Sequence, residues 1–375
     1  MPSAANTAWI ESLSPWPTGG FGLDRIRDLV AELGDPQLRY PAVHVVGTNG
    51  KTTVTRMTEA LLAAEGLAVG AYTSPHVRGW SERIRVRGEE ADLERAIAHV
   101  RPAAERLGAT QFEVLTAAAL AEFAEAGVDA AVVEAGLGGR HDATNVLRTR
   151  VVVLTNVALE HIEVLGTTRD AIAAEKLAVV QPGAVVVLGE PEWREAATAA
   201  GAARVDLVAR TNVALAVAAA EAFLGRPVAA APAQAVRVPG RLERRSDDPL
   251  EVWDGAHNLA GVGHVLARLP SADYTIVASI LADKDVDGML AAFAAVGRRL
   301  VATTSSNERA LSAAHLAERA RPYFEHVEAV SDPAAALARA RAGGGAVLVT
   351  GSLYLLADLA SGQECDLRCE TLATS

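Results

Sequence analysis

Cysteine is scarce. Cys365 and Cys369 are the two thiols of a 375-residue chain, four positions apart near its end. Without histidine companions they make a poor metal site and are expected to be ordinary cytosolic thiols in a frayed tail. Positive charge is also short: the formal net charge of −11 argues against a nucleic-acid surface. It leaves room for a local loop that binds phosphate. Long apolar runs are missing. Val213–Ala220 ends at a charge, well short of the ~20 residues a membrane span needs. Met1 to Trp16 holds neither a basic residue nor an apolar core run, so no signal peptide is expected and the location is expected to be cytoplasmic. Aromatic residues make up only 4% of the chain, while half of it is hydrophobic, mostly through alanine and valine. That is the composition of a compact α/β protein, and the length suits two domains.

What is present is concentrated in Val43–Thr53, which reads Val-His-Val-Val-Gly-Thr-Asn-Gly-Lys-Thr-Thr. A short apolar β-type run stops at Gly47. The loop that follows holds Thr48, Asn49, Gly50, Lys51, Thr52 and Thr53, and Met57, Ala60, Leu61 and Ala64 then fall at helical spacing. Strand, loop and helix in this order form a phosphate cradle. Glycine lets the backbone approach a polyphosphate, the first N–H groups of the helix point at the anion, lysine adds a point charge, and a threonine hydroxyl can ligate Mg²⁺. The common phosphate-loop rule places four residues between its glycines. Gly47 and Gly50 have two between them, so this is a shorter form.

Further along, apolar runs alternate with helical segments, the pattern of a parallel sheet. Ala68–Tyr72 runs into Thr73-Ser74-Pro75-His76. Asp92–Leu107 and Gln111–Ala126 read as helices. Ala130–Glu134 reads as a buried strand and opens into Gly136-Leu137-Gly138-Gly139-Arg140 and Asp142, where three glycines permit close approach of a ligand and Arg140 and Asp142 can orient it. Val151–Asn156 delivers Glu160-His161. Ser74, Glu134 and His161 each follow a separate strand, and ligands of open α/β sheets bind at the carboxyl ends of strands. Their convergence would gather two oxygen donors and one nitrogen around a divalent ion. Thr168–Val180 reads as a helix carrying Glu175 and Lys176, where pattern alone makes Lys176 a solvated charge. Val205–Gly225, with Asn212, is expected to be mostly helical, and 227–240 to be a linker. A second domain is expected over 237–375, after a first over 1–236. Its strands are placed near Leu250–Trp253, Tyr274–Ser279, Leu300–Thr304 and Ala346–Thr350. Gly19-Gly20-Phe21-Gly22 is either a flexible turn or part of a substrate mouth.

In order, the chain carries Gly-Thr-Asn-Gly-Lys at 47–51, Thr-Ser-Pro-His at 73–76, Glu-Arg-Ile-Arg-Val at 82–86, Phe-Glu at 112–113 and Glu134 with Gly-Leu-Gly-Gly-Arg at 136–140. Asp-Ala-Thr-Asn at 142–145, Glu175-Lys176, Pro-Gly-Arg at 239–241, Asp-Gly-Ala-His-Asn at 254–258, Asp-Lys-Asp at 283–285 and Thr-Gly-Ser-Leu-Tyr at 350–354 follow. This ordered set resembles the folylpolyglutamate synthase and dihydrofolate synthase family of the Mur ligase superfamily. The resemblance implies a P-loop, Mur-ligase-like ATPase domain with a mostly parallel sheet and a smaller Rossmann-like α/β domain. It implies an ATP-dependent acid–amino-acid ligase that joins L-glutamate to dihydropteroate or to a folate through an acyl phosphate, with ATP and Mg²⁺ required. Lys51 and the loop residues 47–53 would hold ATP, joined by Asn212, Arg241 and Asp254 across a closing cleft, with His257 at the γ-phosphate. Ser74, Glu134 and His161 match the family's metal ligands, and Lys176 matches a lysine that the family carbamylates. Phe112, Glu113, Arg140 and Asp142 would line the pterin side. Partners are small molecules, and a monomer is expected.

The chain also departs from the family pattern. Thr52 stands where glycine is frequent, Glu160 where aspartate is usual, His141 where leucine is commoner, and Ala209-Arg210 where the family has His-Gln. The stretch between Gly189 and Asn212 is short, so a small strand-rich subregion is expected to be missing. Two other readings remain open: a non-catalytic nucleotide-binding paralogue, and a cell-wall ligase of the Mur type.

Overall fold

In the computed structural model, residues 5–17 and 20–361 are described, so Cys365, Cys369 and Gly19 lie outside the described residues. The chain forms two compact units, 1–75 with 80–236 and 76–79 with 237–375.

Eight strands build the sheet of the first unit: β1 Ala42–Val46, β2 Val69–Tyr72, β3 Ile84–Val86, β4 Glu89–Glu90, β5 Ala130–Glu134, β6 Thr149–Leu154, β7 Val185–Leu188 and β8 Arg204–Leu207. They lie in the order β4-β3-β2-β5-β1-β6-β7-β8. Along the order β2-β5-β1-β6-β7-β8 all pairings are parallel, and β3 pairs antiparallel with β2 on one side and β4 on the other. Every residue of β1 and of β5 is buried. Strands covered on both faces need apolar side chains on both, which is why these segments read as unbroken Val/Ala runs. Successive residues part to opposite faces: Ala131 and Val133 join the cluster with Ile26, Leu115 and Phe123, while Ala130 and Val132 join the one with Val54, Leu61 and Leu215.

The second unit has β9 Glu243–Asp247, β10 Leu250–Trp253, β11 Tyr274–Ala278, β12 Arg299–Ala302, β13 His326–Ala329 and β14 Ala346–Thr350, ordered β13-β12-β11-β14-β10-β9. Among the described residues of this sheet only β9 pairs antiparallel. Val77, from the four-residue piece His76–Gly79, packs in this unit with Trp253, Leu353 and Leu356.

Both sheets are mostly parallel with helices between their strands, as expected. Two local expectations need refining, and one strand was not foreseen. Val205–Gly225 is mostly helical, as expected, through Asn212–Leu224, but its first residues belong to an unforeseen edge strand, Arg204–Leu207, paired with β7. The stretch 227–240 is not a plain linker, because Ala231–Ala235 is helical with Ala233 fully buried. The hairpin partner β9 reads Glu-Arg-Arg-Ser-Asp and carries no apolar signal, since it is an exposed edge.

Candidate active site

The loop after β1 is shaped by its glycines. Gly47 has φ +144°, and a Cβ there would fall 1.9 Å from Thr155 Oγ1. Gly50 has φ +84°, in the left-handed region, and a Cβ there would meet Asn212 Oδ1 at 2.8 Å. No side chain fits at either place. Gly50 is also the N-cap of the helix Lys51–Ala64, with no side-chain cap bond. By contrast, the helices that begin at Leu93, Gln111, Arg169 and Asn212 are each capped by an Asp or Thr side chain. A helix start without a side-chain oxygen keeps its N–H donors for a ligand, and the dipole makes that ligand an anion.

The turn after β6 grips this loop. Asn49 N donates to Asn156 Oδ1 at 3.1 Å, and Asn156 Nδ2 donates back to Asn49 O at 2.9 Å. Thr155 Oγ1 donates to the same carbonyl at 2.7 Å, and Thr48 N to Asn156 O at 3.0 Å.

Two ammonium groups hold the loop's carbonyls. Lys51 Nζ donates to Thr48 O at 3.3 Å, and Lys176 Nζ to Gly47 O at 2.9 Å. Lys176 is only 4% exposed. Burial, and next the nearby Lys51 charge, push its pKa down to about 7, against the opposing carboxylates of Glu160, Asp142 and Glu175. Pattern alone made Lys176 a solvated charge; it is buried against the phosphate loop. Two lysines gathered here, Lys51 charged and Lys176 desolvated and only partly charged near pH 7, favour an anionic guest.

Glu134, at the end of β5 and 2% exposed, receives Thr52 Oγ1 at 3.0 Å and Ser74 N at 3.0 Å. Thr52, Ser74 and Glu134 therefore come together beside the loop. His161 is placed differently. It is 37% exposed, adopts φ +49° at the start of the short helix Ile162–Leu165, and its Nε2 lies 3.8 Å from Glu160 Oε1. Among the described residues no group of three His, Cys, Asp or Glu side chains is clustered for a metal ion. One carboxylate among hydroxyls, next to a phosphate cradle, is a donor set that fits Mg²⁺, which keeps most of its waters and takes phosphate oxygens as ligands.

The residues expected on the pterin side divide by environment. Phe112 lies against Gly136, where a Cβ would come within 2.5 Å of its ring, and stands 6.1 Å from the Tyr72 ring. Glu113 is occupied within the fold, completing a capping box with Thr110 and pairing with Arg25 at 2.7 Å. Asp142 is buried and ties its own loop, taking Leu137 N at 2.7 Å, Thr144 N at 3.0 Å and the Thr144 hydroxyl. Burial raises its pKa. Behind it, fully buried His44 meets Thr144 Oγ1 at 2.8 Å, and burial lowers its pKa to about 3. Arg140 is exposed and reaches Glu175 at 3.2 Å.

In the second unit, Asp254 follows β10 and receives Leu242 N at 2.7 Å and Ala256 N at 2.8 Å. Burial raises its pKa, while the Arg241 charge works against that rise. His257 Nδ1 lies 2.9 Å from Gly255 O. A carbonyl only accepts, so Nδ1 carries the hydrogen. Asn258 caps the helix Leu259–Leu266 through Gly261 N.

Sequence reasoning missed Arg25, His44, Thr144, Thr155 and Asn156. Thr155-Asn156 carried a usable signal, since the pair follows an apolar strand as Thr73-Ser74 does. His44 carried none: in a strand, a histidine gives no hint of what it faces.

Residues 45–214 match the Mur ligase middle domain, and residues 240–353 match the Mur ligase glutamate ligase domain. The dihydrofolate synthase/folylpolyglutamate synthase of Mycobacterium tuberculosis is 35% identical over 82% of this chain and 80% of its own. The chain belongs to that family. Two solved structures extend the likeness to the fold. Escherichia coli FolC in complex with DHPP and ADP superposes with a TM-score of 0.87 at 28% identity, over 98% of this chain and 100% of that one. The Yersinia pestis bifunctional folylpolyglutamate synthase/dihydrofolate synthase complexed with AMPPNP and Mn ion does so with a TM-score of 0.84 at 29% identity, over 97% and 98%. Membership accounts for the two-unit architecture.

Proposed function

We propose that the protein is an ATP-dependent ligase that adds L-glutamate to dihydropteroate, to a folate, or to both. The observation that carries this reading is the helix start at Gly50, which has no side-chain cap and is flanked by Lys51 and by buried Lys176. Support comes from family membership and from what the relatives' names say they make and bind.

In the reaction, a carboxylate oxygen of the acceptor attacks the γ-phosphorus of ATP and ADP leaves. The glutamate amine then attacks the acyl carbon, phosphate leaves, and an amide forms with loss of one proton. Such transfer depends on alignment and on neutralising charge at the γ-phosphoryl group. Lys51 and the backbone N–H groups of 47–53 bind the β- and γ-phosphates, with Asn212 packed against Gly50. Thr52, Ser74, Glu134 and His161 are the residues proposed to hold Mg²⁺, which would supply charge neutralisation to the transferred phosphoryl group. Lys176 fixes the loop through Gly47 O, and its free amine, plentiful near pH 7, is the form a carbamate requires. Phe112, Glu113, Arg140 and Asp142 shape the pterin side, the two carboxylates by holding the loops there. In the second unit, Arg241, Asp254 and His257 are proposed to act on ATP. A monomer, at work in the cytoplasm, completes the proposal.

The deciding experiment is ADP release with ATP, Mg²⁺, glutamate and either dihydropteroate or tetrahydrofolate. Acceptor-dependent release with at least one of them is expected. ATP binding in a calorimeter without release under any pairing would point instead to a nucleotide-binding protein without catalysis.

A further inference from the structure

We infer that Glu190 is a positioning residue for the nucleotide loop, acting through the turn 155–158. This rests on the reading of 47–53 as the nucleotide site. Glu190 follows β7 and Gly189, and it is 4% exposed, a depth at which carboxylates are almost always paired. Its Oε2 takes Val157 N at 3.0 Å and Trp193 Nε1 at 2.8 Å. Arg169 Nη2 stands 3.5 Å from the same oxygen, and its guanidinium lies over the Trp193 ring, 5.0 Å from the centroid. Arg169 Nε donates to Val157 O at 3.0 Å. Both backbone groups of Val157 are therefore held, the N–H by Glu190 and the carbonyl by the arginine beside it.

Val157 is the centre of the grip on the loop. Asn156, on one side of it, makes the two-way exchange with Asn49. Ala158, on the other, gives its N–H to Thr48 Oγ1 at 3.1 Å. Glu190 reaches the loop by a second route as well. Its Oε1 lies 2.6 Å from Arg210 Nη2, an ion pair whose angles fall outside hydrogen-bond geometry. Arg210 is 65% exposed and stands two residues before Asn212, whose amide oxygen abuts Gly50. One buried carboxylate thus serves both structures that press on the loop. A charge-assisted network around one buried carboxylate holds geometry more tightly than separate contacts do. Sequence reasoning had no access to this role, since Glu190 lies outside every motif quoted for the family.

The consequence is selective: the loop's shape matters to ATP, while glutamate and pterin are held by other residues. Glu190→Ala and Glu190→Gln are compared with wild type and Lys51→Ala by calorimetry with ATP and Mg²⁺, and by KM for each substrate. Glu190→Ala is expected to weaken ATP binding about tenfold with KM for glutamate unchanged. Glu190→Gln, which still accepts from Val157 and Trp193, is expected to recover to within about threefold of wild type. If Glu190→Ala does not fold, the glutamine variant alone decides, with a small rise confined to KM for ATP. Wild-type ATP affinity in Glu190→Ala, or KM values that rise equally for all substrates in either variant, overturns the inference. Absence of ATP binding by wild type, or undiminished binding by Lys51→Ala, instead overturns the nucleotide-site reading beneath it.

Discussion

The two units leave their sheets in the same way and finish the turn differently. In the first, β1 leads through Gly47 to a helix that begins at Gly50, a left-handed residue with no side chain. In the second, β10 leads through Asp254 to a helix that begins at Asn258, whose own side chain occupies Gly261 N. Strand, loop and helix are common to both; the cap decides what the helix end can do. A capped end has spent a donor on itself, and an uncapped one offers it to an anion. The first exit also collects charge, with two lysines on its carbonyls, while the second keeps a carboxylate, Asp254, bound to the backbone N–H groups of Leu242 and Ala256.

The largest expected effect breaks the first exit. Lys51→Ala is expected to lower ATP turnover about a hundredfold or more, a loss of about 3 kcal/mol in the transition state, with little change in melting temperature. Steady-state kinetics beside a thermal scan checks both halves. Next comes Lys176→Ala. It removes the bond to Gly47 O and the amine itself, and a fall in kcat of at least tenfold is expected. A fully active variant would end any role for Lys176 in the reaction, carbamylated or not.

These two lysines also show how far the sequence alone was legible. Lys51 lay inside a pattern whose physics is local, so its place could be read directly. Lys176 sits on a helix where spacing suggested solvent, and only the family resemblance drew attention to it. Burial by another segment, here the loop after β1, is a tertiary fact that no local pattern carries. The central strands were legible because double-sided burial writes itself into sequence as Val/Ala runs. The edges β4, β8, β9 and β13 were not, because exposed strands lack that signature. The candidate site residues were legible in part. Ser74 and Glu134 meet where their strand ends converge, whereas Glu113 and Asp142, expected on the pterin side, are tied to cap and loop backbone, a role that depends largely on neighbours a few residues away and that the resemblance did not supply.

A pH experiment sharpens the comparison by isolating one buried base of the first unit. His44 has a folded pKa near 3 against an ordinary 6.5, so between these values the unfolded chain binds more protons than the folded one. Stability from this group is therefore full above about pH 6.5 and is lost as pH falls toward 3. Wild type is expected to lose on the order of 2 kcal/mol relative to His44→Gln between pH 6.5 and 5, read from urea midpoints. Parallel pH curves for the two proteins would show that the imidazole charges freely in the fold. Asp254, with its pKa raised by burial, works in the opposite sense: its contribution is full in acid and fades as pH rises past the folded value. The two buried groups, one in each unit, should thus respond oppositely to acid.

The smallest effect tests the cap itself. Asn258→Ala removes the acceptor for Gly261 N and is expected to cost about 1 kcal/mol of stability, the ordinary worth of an N-cap. The reciprocal change, Gly50→Ala, forces a Cβ at positive φ toward the Asn212 amide. It is expected to cost about as much stability, from strain rather than from a lost cap, and in addition to weaken ATP binding. The informative quantity is the ratio of binding loss to stability loss, measured by calorimetry and urea unfolding on the same samples. If the ratio is large for Gly50→Ala and near zero for Asn258→Ala, the left-handed glycine turn is what shapes the first exit for an anion. If the two ratios agree, the turn is incidental, and the lysines alone account for the difference between the units.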